Sequence, residues 1–246
     1  MIERFDADSL TQAILLLDWS DDVCNELRAW GDRNIGLKHG TISGYFTDPG
    51  LMGDAAAEWS GKVGGVYFVL NPIYRRCLAR CANRLNKYTP KGDGAKDDEI
   101  ERRRWLFIDL DVEFEASGRK KPRGTSSTDE EHQRALLCGR AIFDYLHEKC
   151  PARRLVLADS GNGAHVLAKL EKPNDDDATH YVENRLKHLA THFSDLLKVN
   201  GIELDTTTHN AARLCKFYGT MACKGDPIDG NVHRLSRILE DTDVRG

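Results

Sequence analysis

Hydrophobic and polar positions alternate most regularly over residues 105–112. A period of two residues is typical of a β-strand with two different faces, because successive side chains point to opposite sides. One face of this strand carries Trp105, Phe107, Asp109 and Asp111, whereas the other face is entirely aliphatic. The pattern therefore predicts a strand with two carboxylates side by side near its end.

Runs of β-branched and aromatic residues predict further strands at residues 65–70, 155–160 and 164–169. The last two are separated by the segment Gly-Asn-Gly at residues 161–163, which is a strong hairpin turn signal. The second strand of this hairpin starts beside His165, so the histidine is expected close to the turn.

Helical patterns account for much of the remaining chain. Residues 128–131 form a capping box that starts one helix, and an amphipathic helix is predicted over residues 177–199. A third helix is predicted over residues 74–86. The first third of the chain is expected to run helix, loop, strand, helix, with Leu27 among the apolar positions of a helical pair.

The 246 residues are 40% hydrophobic and 30% charged, which suffices for a substantial core and excludes intrinsic disorder as the main state. No apolar run approaches the ~20 residues that a membrane helix needs, and the first residues lack a signal-peptide pattern. A cytoplasmic protein without a membrane partner is therefore expected. Seven scattered cysteines, an odd number, favour reduced thiols over a disulfide framework.

The net charge of −4 argues against a generic, charge-driven nucleic-acid coat protein. Two stretches are nevertheless locally basic. Residues 75–104 carry ten Lys and Arg against five Asp and Glu, and residues 206–239 carry five against two. These stretches leave room for a partner that has phosphate groups.

Two like charges on one strand face are costly among apolar residues unless something compensates them. A pair of Mg²⁺ or Mn²⁺ ions would do so, because both ions prefer carboxylate oxygens and two such ions can clamp the reacting oxygens of phosphoryl transfer. By itself, the pair Asp109 and Asp111 is equally consistent with solvated acids at the end of a strand.

Two further groups of polar residues follow along the chain. The turn from Ser160 to His165 offers glycine N–H groups and an imidazole to an anion, although an ordinary hairpin with a surface histidine explains it as well. Asp205 is a lone acid followed by cations, which suits metals on one side of a triphosphate and Arg or Lys on the other. The residues that follow it are Asn210, Arg213, Lys216, Lys224, His233 and Arg234.

Taken in order, these motifs are Asp-x-Asp on a strand, Ser-Gly-x-Gly-x-His, and a distant Asp followed by Asn-x-x-Arg and Lys-Gly. This order resembles the catalytic core of the archaeo-eukaryotic primase superfamily, specifically the primase-polymerase domains of phages, plasmids and CRISPR-associated or other mobile loci. The resemblance covers about residues 62–240, and residues 1–61 would be an N-terminal helical and loop extension of a single catalytic domain, 1–246. Because similar chains continue into a helicase or accessory primase segment, this chain is interpreted as one domain of a longer protein.

The resemblance implies an α+β fold with an N-terminal α/β lobe, a sheet-and-helix lobe like the RNA-recognition motif, and an active site between them. It implies that Asp109, Asp111 and Asp205 are the catalytic carboxylates and bind two divalent ions, Mg²⁺ or Mn²⁺. The residues that it assigns to nucleotide binding are Ser160, Gly163, His165, Arg213, Lys216, Lys224, His233, Arg234, Asn71 and Arg75.

The implied function is that of a DNA primase-polymerase, which transfers nucleotides from dNTPs or NTPs to a 3′-hydroxyl on a single-stranded DNA template. De novo primer synthesis is a further expectation. Many members of the superfamily carry a zinc knuckle, but no Cys/His set here has a four-ligand spacing, and Cys77 and Cys81 are predicted to pack in the core. Two alternatives stay open: a two-metal nuclease, and a non-catalytic module that binds single-stranded nucleic acid through Trp105, Phe107 and Phe217.

Overall fold

Two five-stranded antiparallel sheets frame the part of the protein that the structure describes. The structure is a computed structural model, and it describes residues 4–30, 41–90, 92–115, 117–151, 153–228 and 230–243. Its helices are α1 (Ala7–Ile14), α2 (Pro49–Trp59), α3 (Asp129–Lys149), α4 (Asp176–His192) and α5 (Ser194–Asn200). Its strands are β1 (Val23–Trp30), β2 (Thr41–Phe46), β3 (Gly65–Val69), β4 (Ile73–Tyr74), β5 (Arg102–Val112), β6 (Leu155–Asp159), β7 (Ala164–Pro173), β8 (Ile202–Leu204), β9 (Leu214–Lys216), β10 (Met221–Ala222), β11 (Arg234–Leu235) and β12 (Arg237–Asp241).

The first sheet has the strand order β2-β1-β3-β9, with the short β4 paired to β1. The prediction for the first third of the chain was wrong here, because the segment containing Leu27 is strand β1 and not part of a helical pair. Leu27 is buried between its neighbours Gly44 on β2 and Phe68 on β3. Burial between two strands is a tertiary effect, and here it outweighs the weak local preference of the segment for a helix.

The helix predicted over residues 74–86 is also absent from the described chain. Instead, β4 is followed by a 3-10 helix, Arg75–Arg80, and then by extended backbone at Cys81. The carbonyl of Cys81 accepts a hydrogen bond from the N–H of Tyr45 (2.9 Å), and the N–H of Asn83 donates to the Tyr45 carbonyl (2.7 Å). The chain therefore pairs with the edge of β2 at the point where a helix would need the same backbone groups.

The second sheet has the strand order β12-β6-β7-β5-β8 and is centred on the two strands that flank the predicted hairpin turn. On β5 the predicted alternation is confirmed, since Trp105 and Phe107 lie in a core shared with the first sheet, while Leu106 and Ile108 pack under the helices. The shared core places the two sheets against each other, with Phe68 of β3 among its buried side chains.

Helices α3, α4 and α5 cover the outer face of the second sheet. The capping box that starts α3 is confirmed by reciprocal hydrogen bonds between Thr128 and Glu131. The single helix predicted over residues 177–199 is divided into α4 and α5, because Phe193 leaves helical geometry and packs edge-on against Tyr145. The protein is thus a mixed α+β fold with antiparallel sheets. Its division into the two expected lobes stays a prediction.

None of the described helices combines the length and apolarity that a bilayer crossing requires. The seven cysteines are free, and Cys77 and Cys81 are buried as predicted, Cys77 in the 3-10 helix and Cys81 in the extended backbone that follows it.

Candidate functional site

The register of the second sheet aligns three polar side chains in one row across β7, β5 and β8. His165 is directly opposite Asp109 in the β5–β7 pair. On the other side of β5, the N–H of Asp205 donates to the carbonyl of Asp109 at 3.0 Å, just beyond the end of the β5–β8 pairing. Because opposed residues of adjacent strands lie about 5 Å apart at Cβ, the row brings two carboxylates and an imidazole together.

Asp109 and His165 form a buried ion pair, with 3.2 Å between Oδ1 and Nε2. Burial alone would lower the pKa of His165, but the hydrogen bond to Asp109 and its charge outweigh burial and raise the pKa to about 10. Burial would raise the pKa of Asp109, and the same contact with His165 lowers it instead. The pair is therefore charged at neutral pH.

Asp111 lies on the same face of β5, one alternation further along. Its side chain is 52% exposed within the cleft, and its nearest ion-pair partner is Lys224 at 3.9 Å. Desolvation and the negative charge of Asp109 raise the pKa of Asp111, despite the opposing charge of Lys224. The negative charge at this position is therefore only partly compensated by the protein.

Asp205 is held by its own loop and by an arginine. One carboxylate oxygen accepts hydrogen bonds from the N–H and hydroxyl of Thr207, at 2.8 and 2.6 Å. The other oxygen is 3.0 Å from Arg213, whose guanidinium is also 3.6 Å from Asp109. Arg213 thus bridges two of the three predicted carboxylates.

The hairpin turn supports the site in a different way from the one predicted. Its glycine N–H groups were expected to be available to an anion, but the N–H of Gly163 donates to the Ser160 hydroxyl (2.9 Å) and the N–H of Gly161 to Asp159 (2.6 Å). A Cβ atom at residue 163 would lie 2.1 Å from the carbonyl oxygen of Leu110, so glycine is needed for the close approach of the turn to β5.

Two residues that the sequence did not single out orient His165 through Nδ1, the ring nitrogen that does not face Asp109. The hydroxyl of Tyr218 lies 2.9 Å from His165 Nδ1, and Cys215 Sγ lies 3.3 Å from the same hydroxyl. The charged imidazole donates hydrogen bonds from both nitrogens, so the Tyr218 hydroxyl accepts one from Nδ1. The same hydroxyl can then donate a hydrogen bond to the Cys215 sulfur. No local motif marks this role, because all three residues meet only in the folded core.

Lys216 is a buried cation at the inner end of the cleft. Its ammonium donates to the carbonyl of Met221 (2.8 Å) and lies 5.4 Å from the centre of the Tyr67 ring. Desolvation lowers its pKa to about 7. This lysine therefore changes its charge state near neutral pH.

A small cavity connects these groups. Its lining consists of Gly64, Tyr67, Phe107, Asp109, Asp111, Ser160, Asn162, His165, Leu214, Lys216, Ala222 and Lys224. Four predicted carboxylate or turn residues, Asp109, Asp111, Ser160 and His165, thus face the same space as Lys216 and Lys224.

Seven predicted residues do not line this cavity. Gly163, Arg213 and Asp205 each contact a residue that does, whereas Asn71, Arg75, His233 and Arg234 are engaged elsewhere. The Asn71 amide is buried and bonds to the backbone of Ala211 and Arg104 at 2.8 Å each. Arg75 donates to the carbonyl of Asp21. The remaining two lie further along the chain, where His233 donates to the Gly225 carbonyl and Arg234 pairs with Asp129 and bonds to Ser127. In this structure all four side chains bond to backbone carbonyls of the protein itself.

The chemistry of the three aspartates fits a hard divalent cation, because carboxylate oxygens are the preferred ligands of Mg²⁺ and Mn²⁺. Desolvation and the charge of Asp109 raise the pKa of Asp111, and a cation bound beside it would relieve this unfavourable charge. Among the described residues, however, no three His, Cys, Asp or Glu side chains are already arranged as a metal site. Arg213 occupies the space between Asp109 and Asp205, so it would have to move for a shared ion to bind.

The aromatic residues proposed for nucleic-acid stacking are closed off from solvent. Trp105, Phe107 and Phe217 are each at most 3% exposed and belong to the core between the two sheets. Base stacking needs an open ring face. The geometry therefore does not favour the alternative of a module that binds through these three rings.

Comparison with known proteins finds a similarity of structure. No protein-family model and no curated protein matches this sequence. Among solved structures, the chain is similar to the polymerase domain from Mycobacterium tuberculosis Ligase D in complex with DNA, with 12% sequence identity and a TM-score of 0.48. The similarity covers 94% of this chain and 79% of that chain.

Proposed function

We propose that the protein is a metal-dependent nucleotidyltransferase, a DNA primase-polymerase that adds nucleotides to a 3′-hydroxyl on a single-stranded DNA template. The observation that carries the proposal is the row formed by His165, Asp109 and Asp205, with Asp111 beside it in the same cleft. Phosphoryl transfer depends mainly on positioning and on neutralising charge, and this cleft supplies groups for both.

The distribution of charge in the cleft supports a polyphosphate substrate. Arg213 and Lys224 are already in contact with the carboxylates, and Lys216 lies on the inner wall. Arginine binds phosphate through two parallel hydrogen bonds, whereas lysine acts as a point charge. When a metal-bound triphosphate enters, we propose that these cations transfer from the aspartates to its phosphate oxygens.

Asp109, Asp111 and Asp205 would hold two Mg²⁺ or Mn²⁺ ions, which would activate the 3′-hydroxyl and stabilise the leaving pyrophosphate. His165 keeps Asp109 ionised and oriented through its hydrogen bond. Ser160 accepts the turn N–H groups, and its own hydroxyl proton is still available to donate to a phosphate oxygen.

The finer parts of the proposal come from the resemblance of the sequence motifs. We propose that residues 1–246 form one catalytic domain, that the enzyme uses dNTPs or NTPs, and that it also starts primers de novo. We further propose that a helicase or accessory primase segment works with it, in the replication or defence system of a mobile element. The contacts proposed for Asn71, Arg75, His233 and Arg234 with the nucleotide require these side chains to leave the backbone bonds described above.

The direct test is extension of a labelled primer on a single-stranded DNA template with Mn²⁺ or Mg²⁺ and dNTPs or NTPs. We expect templated extension by the wild type, loss of at least about 1,000-fold in the variant Asp109→Asn/Asp111→Asn, and products without primer if priming occurs de novo. A matched control is Asp176→Asn/Asp177→Asn, which removes the same charge from the exposed first turn of α4.

Two outcomes would contradict the proposal, and one would remove the support that the Asp109/Asp111 variant gives it. Equal extension by the Asp109/Asp111 variant would show that other residues catalyse the reaction. Loss of extension in the α4 control as well would show a general effect of charge or stability. Shortening of the primer by the wild type, lost in the Asp109/Asp111 variant, would replace the polymerase with the two-metal nuclease.

A further inference from the structure

A second cavity, of about 290 Å³, opens next to the carboxylate cleft and shares Asp111, Asn162 and Lys224 with it. Its outer wall is formed by residues 120–125 and 127, which belong to the segment 117–127 before α3 that we call the basic loop. We propose that this cavity binds phosphate groups of the nucleic-acid strand whose end lies at the carboxylates. The inference rests on the proposed function and adds to it the surface along which the strand runs.

The basic loop is held in a defined shape by its backbone. It first pairs with the residue that follows β5, because the N–H of Lys121 donates to the Glu113 carbonyl at 2.8 Å. It then joins the wall of the cleft, because the Ser126 hydroxyl donates to the Lys224 carbonyl (2.9 Å) and the Asn162 side chain accepts from the Ser127 N–H (3.1 Å). Both serines are buried. The cations of the loop are therefore displayed from a preorganised support.

The positive charges of the cavity differ in how strongly they are already engaged. Lys121 is a structural cation, since its ammonium lies 2.6 Å from Glu131 of the capping box. Lys120 is 72% exposed, and its ammonium lies 3.7 Å from the Glu113 carboxylate. An exposed ion pair of this kind is weak. Arg123 is exposed and makes no ion pair within the described chain. Two cations at this wall are thus available to an anionic ligand.

The position of these cations favours a strand over a free nucleotide. The inner cavity, with Ser160, His165 and Lys216, already offers groups suited to a triphosphate, whereas Lys120 and Arg123 lie in the cavity beyond Asp111. A nucleic-acid strand continues away from the reacting 3′-hydroxyl with one phosphate per nucleotide, so it needs compensating charge outside the reaction centre. Two acids, Glu113 and Glu203, also line this cavity, so its positively charged side is the basic loop.

The test compares the double variant Lys120→Ser/Arg123→Ser with the control Arg119→Ser/Lys149→Ser. Both remove two positive charges. Arg119 belongs to the same loop but is 82% exposed and outside the cavity, and Lys149 is at the far end of α3. Binding of a labelled single strand and of a primer-template is measured by fluorescence anisotropy at several salt concentrations. Nucleotide binding is measured separately with a fluorescent nucleotide and Mn²⁺.

We expect the cavity variant to bind the strand about 10-fold more weakly than the control does. The slope of log Kd against log salt should fall by about one for each phosphate that the variant no longer neutralises. Its nucleotide affinity should equal that of the wild type. The proposal is overturned if cavity variant and control bind the strand equally, or if the cavity variant loses nucleotide affinity and keeps strand affinity. The comparison requires that both variants keep the thermal stability of the wild type. We expect them to, because the substituted side chains are exposed.

Failure of this inference can be told apart from failure of the proposed function. If the wild type extends primers and the cavity variant binds the strand normally, the function stands and the cavity assignment is overturned. If the cavity variant loses strand binding while the wild type shows no synthesis under any condition, the strand surface is supported and the polymerase assignment fails.

Discussion

Glu26 in the first sheet and Asp111 in the second are both acids inside the fold, but the protein compensates them to different degrees. Glu26 is fully buried, and its carboxylate accepts hydrogen bonds from Arg28, from the Ser43 hydroxyl and from the N–H of Ala95, all between 2.7 and 2.9 Å. Asp111 has one distant lysine and a raised pKa. A structural charge is satisfied by its own chain, whereas a binding charge is left for a ligand to complete.

The largest expected loss of stability comes from removing the hydrogen-bonded carboxylate of Glu26. Glu26→Ala leaves the Arg28 guanidinium and the Ala95 N–H without their acceptor, so we expect a loss of about 3 kcal/mol in the free energy of unfolding. Urea denaturation measures it. The control Glu183→Ala removes an exposed pair with Lys187 on α4, which should cost only about 0.3 kcal/mol. Similar losses in both would contradict the structural role assigned to Glu26.

A somewhat smaller loss is expected at the close approach that positions Asp111. In Gly163→Ala the new methyl group would meet the Leu110 carbonyl at 2.1 Å, and the turn or β5 must shift, at a cost of about 2 kcal/mol. Primer extension should fall as well, since Asp111 Oδ1 is 3.2 Å from the same methyl position. Gly50→Ala, near the start of α2, is the control and should change stability by less than about 0.5 kcal/mol. An unchanged Gly163→Ala variant would contradict this packing.

Lys216 extends the comparison of compensated and uncompensated charges to a buried basic side chain. Desolvation lowers its pKa to about 7, from 10.5 in an unfolded chain, so the unfolded state binds more protons between these values and stability rises with pH there. We expect the stability of the wild type relative to Lys216→Met to increase by about 2 kcal/mol from pH 7 to pH 9. Urea denaturation of both proteins at each pH measures the difference. A constant difference would mean that Lys216 stays charged in the folded protein throughout this range.

The smallest expected effect is a gain. Because desolvation and Asp109 raise the pKa of Asp111, its ionised form is disfavoured in the folded state, and removing the charge should stabilise the protein above about pH 4. Half of the side chain is exposed, so solvent screening limits the gain for Asp111→Asn to about 0.5 kcal/mol.

Thermal unfolding in metal-free buffer at pH 7 tests this gain, with Asp176→Asn as the control. Added Mn²⁺ should then raise the Tm of the wild type more than that of Asp111→Asn. Destabilisation of Asp111→Asn without metal would place Asp111 in the same structural class as Glu26.

The parts of the site that were predictable from sequence are those with local patterns. The alternation along β5 placed Asp109 and Asp111 on one face, and the Gly-Asn-Gly turn placed His165 near the start of the adjacent strand. Each depends on residues within a few positions of each other, where period and turn chemistry determine geometry.

The remaining parts depend on contacts between distant segments. Asp205 reaches Asp109 only because a three-residue strand pairs with β5, and so short a strand has no recognisable period. Cys81 and Tyr45 illustrate the same point in the first sheet, where pairing with β2 replaced a helix expected from apolar spacing. The available N–H groups expected in the turn were likewise taken up by the side chains of Asp159 and Ser160.

The pairing of β8 with β5 also has a consequence for the order in which the protein folds. The hairpin of β6 and β7 joins neighbouring segments, whereas the contact between Leu110 and Leu204 closes a loop that contains α3, α4 and α5. Closing a long loop is entropically costly and slow relative to forming a hairpin. We therefore expect Asp109 and Asp111 to be in place before Asp205 arrives. A chain still emerging from the ribosome would hold two of its carboxylates in position and acquire the third only when the last helices have docked.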